Sequence, residues 1–201
     1  MRIDLLRHGA CEGGSIFRGH IDVPLTELGW QQMSDGLNAL NGCWDRIITS
    51  PLQRCDRFAR SLGAQTGLPV TSVAGIREIG FGDWEGLPVN TAWTEQRALC
   101  EAWSQNPEAY SPPGGEPYTE FRSRVLRALD ALATTYVGET LLLVTHGGVI
   151  KLLLTIANNW HPGDMISLQV GYGFTASMTY DHRSRTMTVS HPEQSAYVYR
   201  A

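Results

Sequence analysis

The chain has 201 residues, of which 42% are hydrophobic and 18% are charged, a composition typical of a folded globular protein and not of a disordered chain. Its 20 acidic and 16 basic side chains give a formal net charge of −4, so it lacks the basic excess of a nucleic-acid-binding protein. The length predicts one domain that spans residues 1–201.

No segment of the sequence is typical of a membrane protein or of a disulfide-rich secreted protein. The apolar run at the amino terminus is short and contains Asp4, and the longest apolar stretch, 149–157, is far shorter than the roughly 20 residues that span a bilayer. The four cysteines form no Cys-x-x-Cys pair, which argues against a zinc site. We expect a cytoplasmic protein that binds neither membranes nor nucleic acid and holds no metal or cofactor.

Short apolar segments alternate with amphipathic ones in the first part of the chain. This alternation is typical of strands followed by helices. A helix with Thr26 as its N-cap is predicted to end near Gly42, and a second helix is predicted to open with Ser50 as N-cap and Pro51 at its first position. The pattern predicts strands at 3–6, 46–49 and 70–73, with helices at 26–40 and 51–66.

The region after these elements is less regular. Residues 75–118 carry three tryptophans and a Pro-Pro-Gly-Gly turn, and we interpret them as an excursion over the active site that contains a helix between 91 and 104. Thr119 is predicted to cap the long helix that follows. The remaining pattern predicts a strand at 140–145, a helix at 149–157 and a closing hairpin of 175–180 with 186–190.

Strands that alternate with helices predict an α/β fold. We expect a three-layer α/β/α sandwich with a mostly parallel central sheet and an antiparallel edge. The run at 140–145 is continuously apolar between its threonines, as expected for a strand covered on both faces. Ligands of such folds bind at the carboxyl ends of the strands, so the residues that follow each strand are the candidates for function.

Three predicted strands are followed by basic side chains. Arg7 and His8 follow the first strand, Arg54 lies just after the second, and His146 follows the strand at 140–145. Taken singly, a histidine here is more often a hydrogen-bonded loop residue, and Arg54 more often a surface ion-pair partner. Placed together beside helix N-termini, they predict a pocket of phosphate size, because arginine can hold two phosphate oxygens at once.

Four motifs in this order resemble the histidine phosphatase superfamily, which has the phosphoglycerate-mutase-like fold. They cover nearly the whole chain, and together they are far more specific than an Arg-His-Gly triplet alone. The motifs are Leu6-Arg7-His8-Gly9, Ser50-Pro51-Leu52-x-Arg54, the block from Ile76 to Gly86 that contains Glu78, and Thr145-His146-Gly147-Gly148.

The resemblance implies catalysis through a phosphohistidine. His8 would be the nucleophile, and Glu78 would protonate the leaving alkoxide and later activate water. Glu85 is the competing carboxylate and ranks second, because the acid of similar proteins precedes the Phe-Gly-x-Trp-Glu-Gly block. The side chains that would hold the non-bridging phosphate oxygens are Arg7, Arg54 and His146.

The loop after His8 departs from the family pattern. Ala10 and Cys11 stand where relatives often have Glu-Thr or Gln-Ser, and Gly14 replaces an asparagine. Part of the phosphate site must therefore be supplied differently, by Ser15 or by Arg18. The resemblance implies that Arg18 contacts the substrate, together with Gly147.

The partner is expected to be a small phosphate ester. The segment 88–110 has Arg97 as its only basic residue and contains Trp93 and Trp103, which suits an aromatic or sugar-containing substrate unless both rings are core residues. The motifs are most similar to those of α-ribazole-5′-phosphate phosphatases, which implies hydrolysis of α-ribazole 5′-phosphate to α-ribazole and phosphate in cobalamin nucleotide-loop assembly. A broad-specificity histidine phosphatase and a phosphoglycerate mutase remain the alternatives.

Rival classes of protein fit the sequence less well. A cysteine-dependent phosphatase needs Cys-x5-Arg, but the required positions are Phe17 and Ser61. The Gly-x-Gly-x-x-Gly motif of a dinucleotide-binding domain does not follow the first strand. A non-catalytic phosphoester-binding regulator would be expected to lack His8 or Glu78, and both are present.

Overall fold

The computed structural model describes residues 1–40 and 42–190, and these form a sheet of six strands. The strand order is β3-β2-β4-β1-β5-β6, with parallel pairing from β3 through β1 and antiparallel pairing at β5 and β6. The predicted mostly parallel sheet with an antiparallel edge is confirmed. The strands are β1 (Arg2–Arg7), β2 (Arg46–Thr49), β3 (Val70–Ser72), β4 (Thr140–Thr145), β5 (Thr175–Asp181) and β6 (Thr186–Ser190).

Helices cover both faces of this sheet. The helices are α1 (Glu27–Ala39), α2 (Gln53–Thr66), α3 (Val89–Glu95), α4 (Arg97–Gln105), α5 (Tyr118–Thr135), α6 (Gly147–Ala157) and α7 (Asp164–Ser167). Strand β4 shows the layering: Leu141 and Leu143 pack with α5 and α6, whereas Leu142 and Val144 pack with α1 and α2. Because successive side chains of a strand point to opposite faces, β4 contributes to two apolar cores, and the predicted three-layer sandwich is confirmed.

Two of the predicted helix caps differ from those in the structure. Helix α2 begins at Gln53, after Leu52, and not at Pro51. Ser50 does not cap it: its buried hydroxyl hydrogen bonds to His146 Nε2 at 2.7 Å and accepts the N–H of Leu52, ahead of the helix, at 3.4 Å. The backbone N–H of Gln53 instead donates to the carboxylate of Asp22 at 2.7 Å, so another loop satisfies this helix end.

Helix α5 begins at Tyr118, with Pro117 at its N-cap, so Thr119 lies inside the first turn and is not the cap. The carbonyl of Pro117 accepts the N–H of Phe121 at 3.0 Å, which starts the helical hydrogen bonding two residues earlier than predicted. Thr26, by contrast, is the N-cap of α1 as predicted, and its hydroxyl accepts the N–H of Gly29 at 3.0 Å. Helix α1 ends at Ala39, three residues before Gly42.

The segment between β3 and α5 packs around its own small apolar cluster. The helix predicted between 91 and 104 is two helices, α3 and α4, which meet at Gln96. The indole N–H of Trp84 donates to the Gln96 side chain at 2.8 Å. The buried members of the cluster are Phe17, Trp84, Ala92, Cys100 and Trp103.

In the described part of the chain, no helix combines the length and the hydropathy needed to cross a bilayer. The thiols of Cys11, Cys43, Cys55 and Cys100 are free.

Candidate active site

The carboxyl ends of β1, β2 and β4 meet beside a cavity of about 490 Å³. Strand β1 lies next to β4, and the N–H of His8 donates to the carbonyl of Thr145 at 2.9 Å, so the two strand ends are held together. Six of the seven residues selected from the sequence line this cavity: Arg7, His8, Arg18, Arg54, Glu78 and Gly147. The seventh, His146, is fully buried, and its ring lies edge-on to the His8 ring with 5.3 Å between centroids.

The His8 imidazole is neutral and its proton is fixed on one nitrogen. Nδ1 lies 2.8 Å from the carbonyl of Gly9, and because a carbonyl can only accept, Nδ1 carries the hydrogen. Burial, together with the positive charges of Arg7 and Arg54, holds the pKa of His8 well below its usual value of 6.5. Nε2 is therefore an unprotonated nitrogen at the cavity.

The neighbouring His146 has the opposite tautomer. Arg54 Nε donates to His146 Nδ1 at 3.2 Å, so the ring hydrogen lies on Nε2, which donates to the Ser50 hydroxyl at 2.7 Å. Burial and the charge of Arg54 hold the pKa of His146 well below 6.5. His146 is thus a neutral ring with both nitrogens occupied by protein groups.

Two of the predicted arginines hold the loop that follows His8. The terminal nitrogens of Arg54 donate to the carbonyls of Gly19 and Ile21, each at 2.8 Å. Arg18 Nη2 donates to the carbonyl of Cys11 at 3.2 Å and also to that of Gly14. These arginines bring positive charge to the cavity, and their terminal nitrogens also hold the loop backbone. Arg18 Nε is buried and has no hydrogen-bond partner among the described residues.

Arg7 is placed differently. Its guanidinium lies over the ring of Tyr172, 4.4 Å from the centroid, and Nη1 donates to the carbonyl of Val170. Its Nε is buried and has no hydrogen-bond partner among the described residues. A side chain at Gly147 would begin 3.1 Å from that nitrogen, so the glycine lets the guanidinium lie against the N-terminus of α6. A buried unpaired donor beside a helix N-terminus is a favourable place for an anion.

Glu78, and not Glu85, is the carboxylate of the cavity. The side chain of Glu78 is 9% exposed, and its oxygens accept the N–H groups of Ile79 at 3.0 Å and Gly148 at 3.1 Å. Glu85 accepts the N–H groups of His20 at 2.9 Å and of Phe81 at 3.0 Å, so it links the backbone at these two residues. This difference in position supports the preference for Glu78 over Glu85 that the family motif implied.

Two residues of the cavity region were not selected from the sequence. Lys151 lines the cavity one turn after Gly147 on α6, a spacing of four that could have identified it. Burial, followed by the charge of Arg7, lowers the pKa of Lys151 to about 8, while the charge of Glu78 opposes this shift. Tyr172 lies in a loop between two glycines, and no pattern in the sequence pointed to it.

Two of the three tryptophans of the excursion, Trp93 and Trp103, line the cavity. Trp103 is only 5% exposed and also belongs to the small apolar cluster, so for this residue the core and the pocket interpretations both hold. Trp93 is half-buried on α3. Phe81, whose ring centroid lies 5.9 Å from that of Trp103, extends this aromatic wall.

Comparison with known proteins gives one consistent result. The family model of the histidine phosphatase superfamily (branch 1) matches residues 3–191. A bifunctional protein of Mycobacterium tuberculosis is 35% identical over 160 residues, which cover 78% of this chain but only 44% of that protein. The adenosylcobalamin/alpha-ribazole phosphatase of Escherichia coli is 28% identical over 192 residues, which cover 94% of this chain and 95% of that enzyme.

Solved structures give the same fold. The crystal structure of the alpha-ribazole phosphatase from Shigella flexneri has a TM-score of 0.78 at 26% identity, with 95% of each chain covered. A mycobacterial glucosyl-3-phosphoglycerate phosphatase in complex with inorganic phosphate has a TM-score of 0.79 at 25% identity, with 100% of this chain and 97% of that chain covered.

The predicted resemblance is confirmed by these matches. The relatives from Escherichia coli and Shigella flexneri are named as phosphatases. On the match over residues 3–191, the chain belongs to the histidine phosphatase superfamily, branch 1.

Proposed function

We propose that this protein hydrolyses phosphate monoesters through a phosphohistidine on His8. One observation carries the proposal: an unprotonated ring nitrogen of His8 shares a cavity with the cation of Arg7 and the carboxyl of Glu78. A nucleophile, a positive charge for the phosphoryl oxygens and an acid for the leaving group are what the reaction requires.

In the first step, His8 Nε2 attacks phosphorus and forms an N–P bond while the P–O bond to the leaving group breaks. Glu78 transfers a proton to the departing alkoxide, which leaves as an alcohol. In the second step, Glu78 accepts a proton from water as the water oxygen attacks phosphorus. The N–P bond breaks, which releases phosphate and regenerates neutral His8.

Positive charge around the phosphoryl group comes from two kinds of source. Arg7 and the N-terminus of α6 at Gly147 would donate directly to the non-bridging oxygens, because Arg7 Nε has no partner among the described residues. Arg54 uses three of its five N–H groups on His146 and on backbone carbonyls, and the N–H that remains on each terminal nitrogen would be available to the phosphoryl oxygens. His146 would orient the site from behind His8.

The test of the mechanism is to trap the intermediate. Rapid quenching with a ³²P-labelled phosphate monoester should give an acid-labile phosphohistidine in the wild-type protein. His8→Ala should abolish both labelling and turnover, while His182→Ala, in the β5–β6 turn, should retain both. Full hydrolysis by His8→Ala would disprove the mechanism.

For the substrate, we propose α-ribazole 5′-phosphate. The aromatic wall formed by Phe81, Trp93 and Trp103 is suited to stack on the planar base of a ribosyl-benzimidazole. The alpha-ribazole phosphatases of Escherichia coli and Shigella flexneri cover nearly the whole chain at 28% and 26% identity, which supports the same class of substrate.

A second candidate rests on Lys151. Its side chain lines the cavity, and its ammonium donates one hydrogen bond to the carbonyl of Ile166 at 3.3 Å. A cation at this position would bind a second anionic group on the substrate. A phosphate ester that also carries a carboxylate, such as a phosphoglycerate derivative, has such a group. The similarity to a mycobacterial glucosyl-3-phosphoglycerate phosphatase is consistent with this candidate.

A comparison of kcat/KM separates the candidates. Under the first proposal, α-ribazole 5′-phosphate is hydrolysed with higher kcat/KM than 3-phosphoglycerate or p-nitrophenyl phosphate, and Lys151→Met has little effect. Under the second, 3-phosphoglycerate leads and Lys151→Met raises its KM. Transfer of phosphate between carbons that depends on 2,3-bisphosphoglycerate and outpaces phosphate release would identify a mutase instead.

A further inference from the structure

The backbone that carries Glu78 belongs to neither the sheet nor an α-helix. Between β3 and α3 the chain forms only two short 3-10 turns, Ala74–Ile76 and Gly82–Trp84, and Glu78 lies between them. Backbone carbonyls in such a segment lack the regular partners of a strand or helix and need others. A side chain from α5 supplies several of these partners.

That side chain is Arg124. Its Nη1 donates to the carbonyls of Gly75 at 2.9 Å and Arg77 at 2.8 Å, and its Nη2 donates to the carbonyl of Glu78 at 2.7 Å. The two remaining N–H groups donate to the carboxylate of Glu116, from Nε at 2.6 Å and from Nη2 at 2.7 Å. All five guanidinium hydrogens are therefore used, and three of them fix the backbone within four residues.

Glu116 and His20 also form hydrogen bonds to the backbone of this segment. The Glu116 carboxylate accepts the N–H of Gly80 at 3.2 Å, and its backbone N–H donates to the Gly80 carbonyl at 2.8 Å. The His20 ring donates to the carbonyl of Glu78 at 2.9 Å. The backbone is thus held on both sides of Glu78, by a pair of side chains that are each only 15% exposed.

We infer that Arg124, paired with Glu116, is the positioning residue for Glu78 as the general acid, an inference that rests on the function proposed above. Arg124 does not line the cavity and contacts only the backbone of Glu78, so it acts through that residue and not on the substrate. A guanidinium suits this role because its planar fork fixes several acceptors at once, whereas an ammonium cannot reproduce that geometry.

The chemistry of the leaving group makes this role measurable. A strongly basic alkoxide must be protonated as it departs, whereas a nitrophenolate leaves without a proton. Displacement of the acid therefore slows the first kind of substrate and leaves the second nearly unchanged. The value of kcat/KM reports the steps up to departure of the leaving group, so it excludes the later hydrolysis of the phosphohistidine.

The experiment compares Arg124→Lys with the wild type on p-nitrophenyl, phenyl and benzyl phosphate. We expect kcat/KM for benzyl phosphate to fall by about 10- to 100-fold, as for a misplaced catalytic group, and that for p-nitrophenyl phosphate to fall by less than about threefold. A plot of log kcat/KM against leaving-group pKa should therefore become steeper. Arg127→Lys, an exposed position on the same helix, is the matched control and should reproduce the wild-type plot.

A merely structural role for Arg124 would lower kcat/KM equally for all three substrates, and that result would overturn the inference. Glu116→Gln, which keeps an acceptor for Arg124 and Gly80, should steepen the plot less than Arg124→Lys does. It also provides the test if Arg124→Lys fails to fold, as judged by its thermal unfolding, and an unchanged slope would then count against the inference.

Glu78→Gln, measured on the same substrates, separates this inference from the proposed function. If Glu78→Gln steepens the plot and Arg124→Lys does not, Glu78 is the acid and the positioning role of Arg124 is wrong. If Glu78→Gln leaves the slope unchanged, the assignment of Glu78 as the acid fails, and the role of Arg124 fails with it.

Discussion

At the scale of single residues, neighbouring groups decide which nitrogen of each histidine carries the hydrogen. A carbonyl can only accept and a guanidinium can only donate, so Gly9 fixes the hydrogen of His8 on Nδ1, and Arg54 fixes that of His146 on Nε2. Two rings whose centroids are 5.3 Å apart therefore have opposite tautomers. The His8 ring is available as a nucleophile, whereas both nitrogens of the His146 ring are hydrogen-bonded to protein groups.

Gly148 provides a test of the position of Glu78. A Cβ at this position would overlap Oε1 of Glu78, so Gly148→Ala must displace the carboxyl group. We expect kcat/KM for an alkyl phosphate to fall by about 10- to 100-fold. The melting temperature should change little, because the gain of up to about 1 kcal/mol from alanine in a helix opposes the loss of the hydrogen bonds that Glu78 accepts from Ile79 and Gly148.

Gly171→Ala is the matched control for this substitution. A Cβ at Gly171 meets nothing within 4 Å, so this variant should keep the wild-type kcat/KM. Unchanged turnover of alkyl phosphates by Gly148→Ala would show that the observed position of the Glu78 carboxyl group is not required for activity.

At the scale of elements, helix α1 holds the loop that follows His8. The N–H of Thr26 donates to the carbonyl of Ala10 at 3.0 Å, and the N–H of Ala10 donates to the Gln32 side chain at 2.8 Å. The helix can approach this closely because its contact residue is Gly29, where a Cβ would overlap the carbonyl of Ala10. The backbone of the loop is therefore packed directly against the backbone of α1.

Gly29→Ala is expected to destabilise the fold even though alanine is the better helix former. The gain in helix propensity is at most about 1 kcal/mol, and overpacking costs about 1–3 kcal/mol, here against backbone that cannot rotate away. Urea unfolding should show a net loss of stability, with Leu28→Ala as a control because Leu28 is 61% exposed. Equal stability of Gly29→Ala and the wild type would mean that α1 can shift without cost.

The prediction of elements from the sequence succeeded where the local pattern decides the structure and failed where distant groups do. The strand predicted at 140–145 is present as β4 because a strand buried on both faces needs a continuous apolar run. The start of α2 was predicted at the wrong residue because of two distant partners. Asp22, 31 residues away, accepts the N–H of Gln53, and the Ser50 hydroxyl hydrogen bonds to His146. Helix propensity contains no information about these partners.

At the scale of the whole molecule, the two neutral buried histidines couple folding to pH. His8 and His146 have pKa values held well below 6.5 in the folded protein, whereas an unfolded histidine titrates near that value. As the pH falls below about 6.5, the unfolded state binds protons that the folded state does not. Their contribution to stability is therefore complete above about pH 6.5 and is lost progressively below it.

Urea unfolding between about pH 7 and 5 measures this coupling. The free energy of unfolding should fall as the pH is lowered, with each histidine contributing at most about 1.4 kcal/mol per pH unit. His8→Asn removes one of the two groups, so its stability should depend less steeply on pH than that of the wild type. Identical slopes for the two proteins would show that His8 is not held neutral in the folded state.

The layered α/β fold and the candidate residues could be predicted from the amino-acid sequence. Apolar periodicity reports local burial, and the motifs at the ends of β1, β2 and β4 follow from chain order, since parallel strands bring those ends to one edge. The state of each group depends on the three-dimensional arrangement. This holds for the tautomers of His8 and His146, for the position of Lys151 in the cavity wall, and for the hydrogen bond from Arg124 to the backbone of Glu78. These depend on contacts between residues far apart in the chain, which a local pattern does not contain.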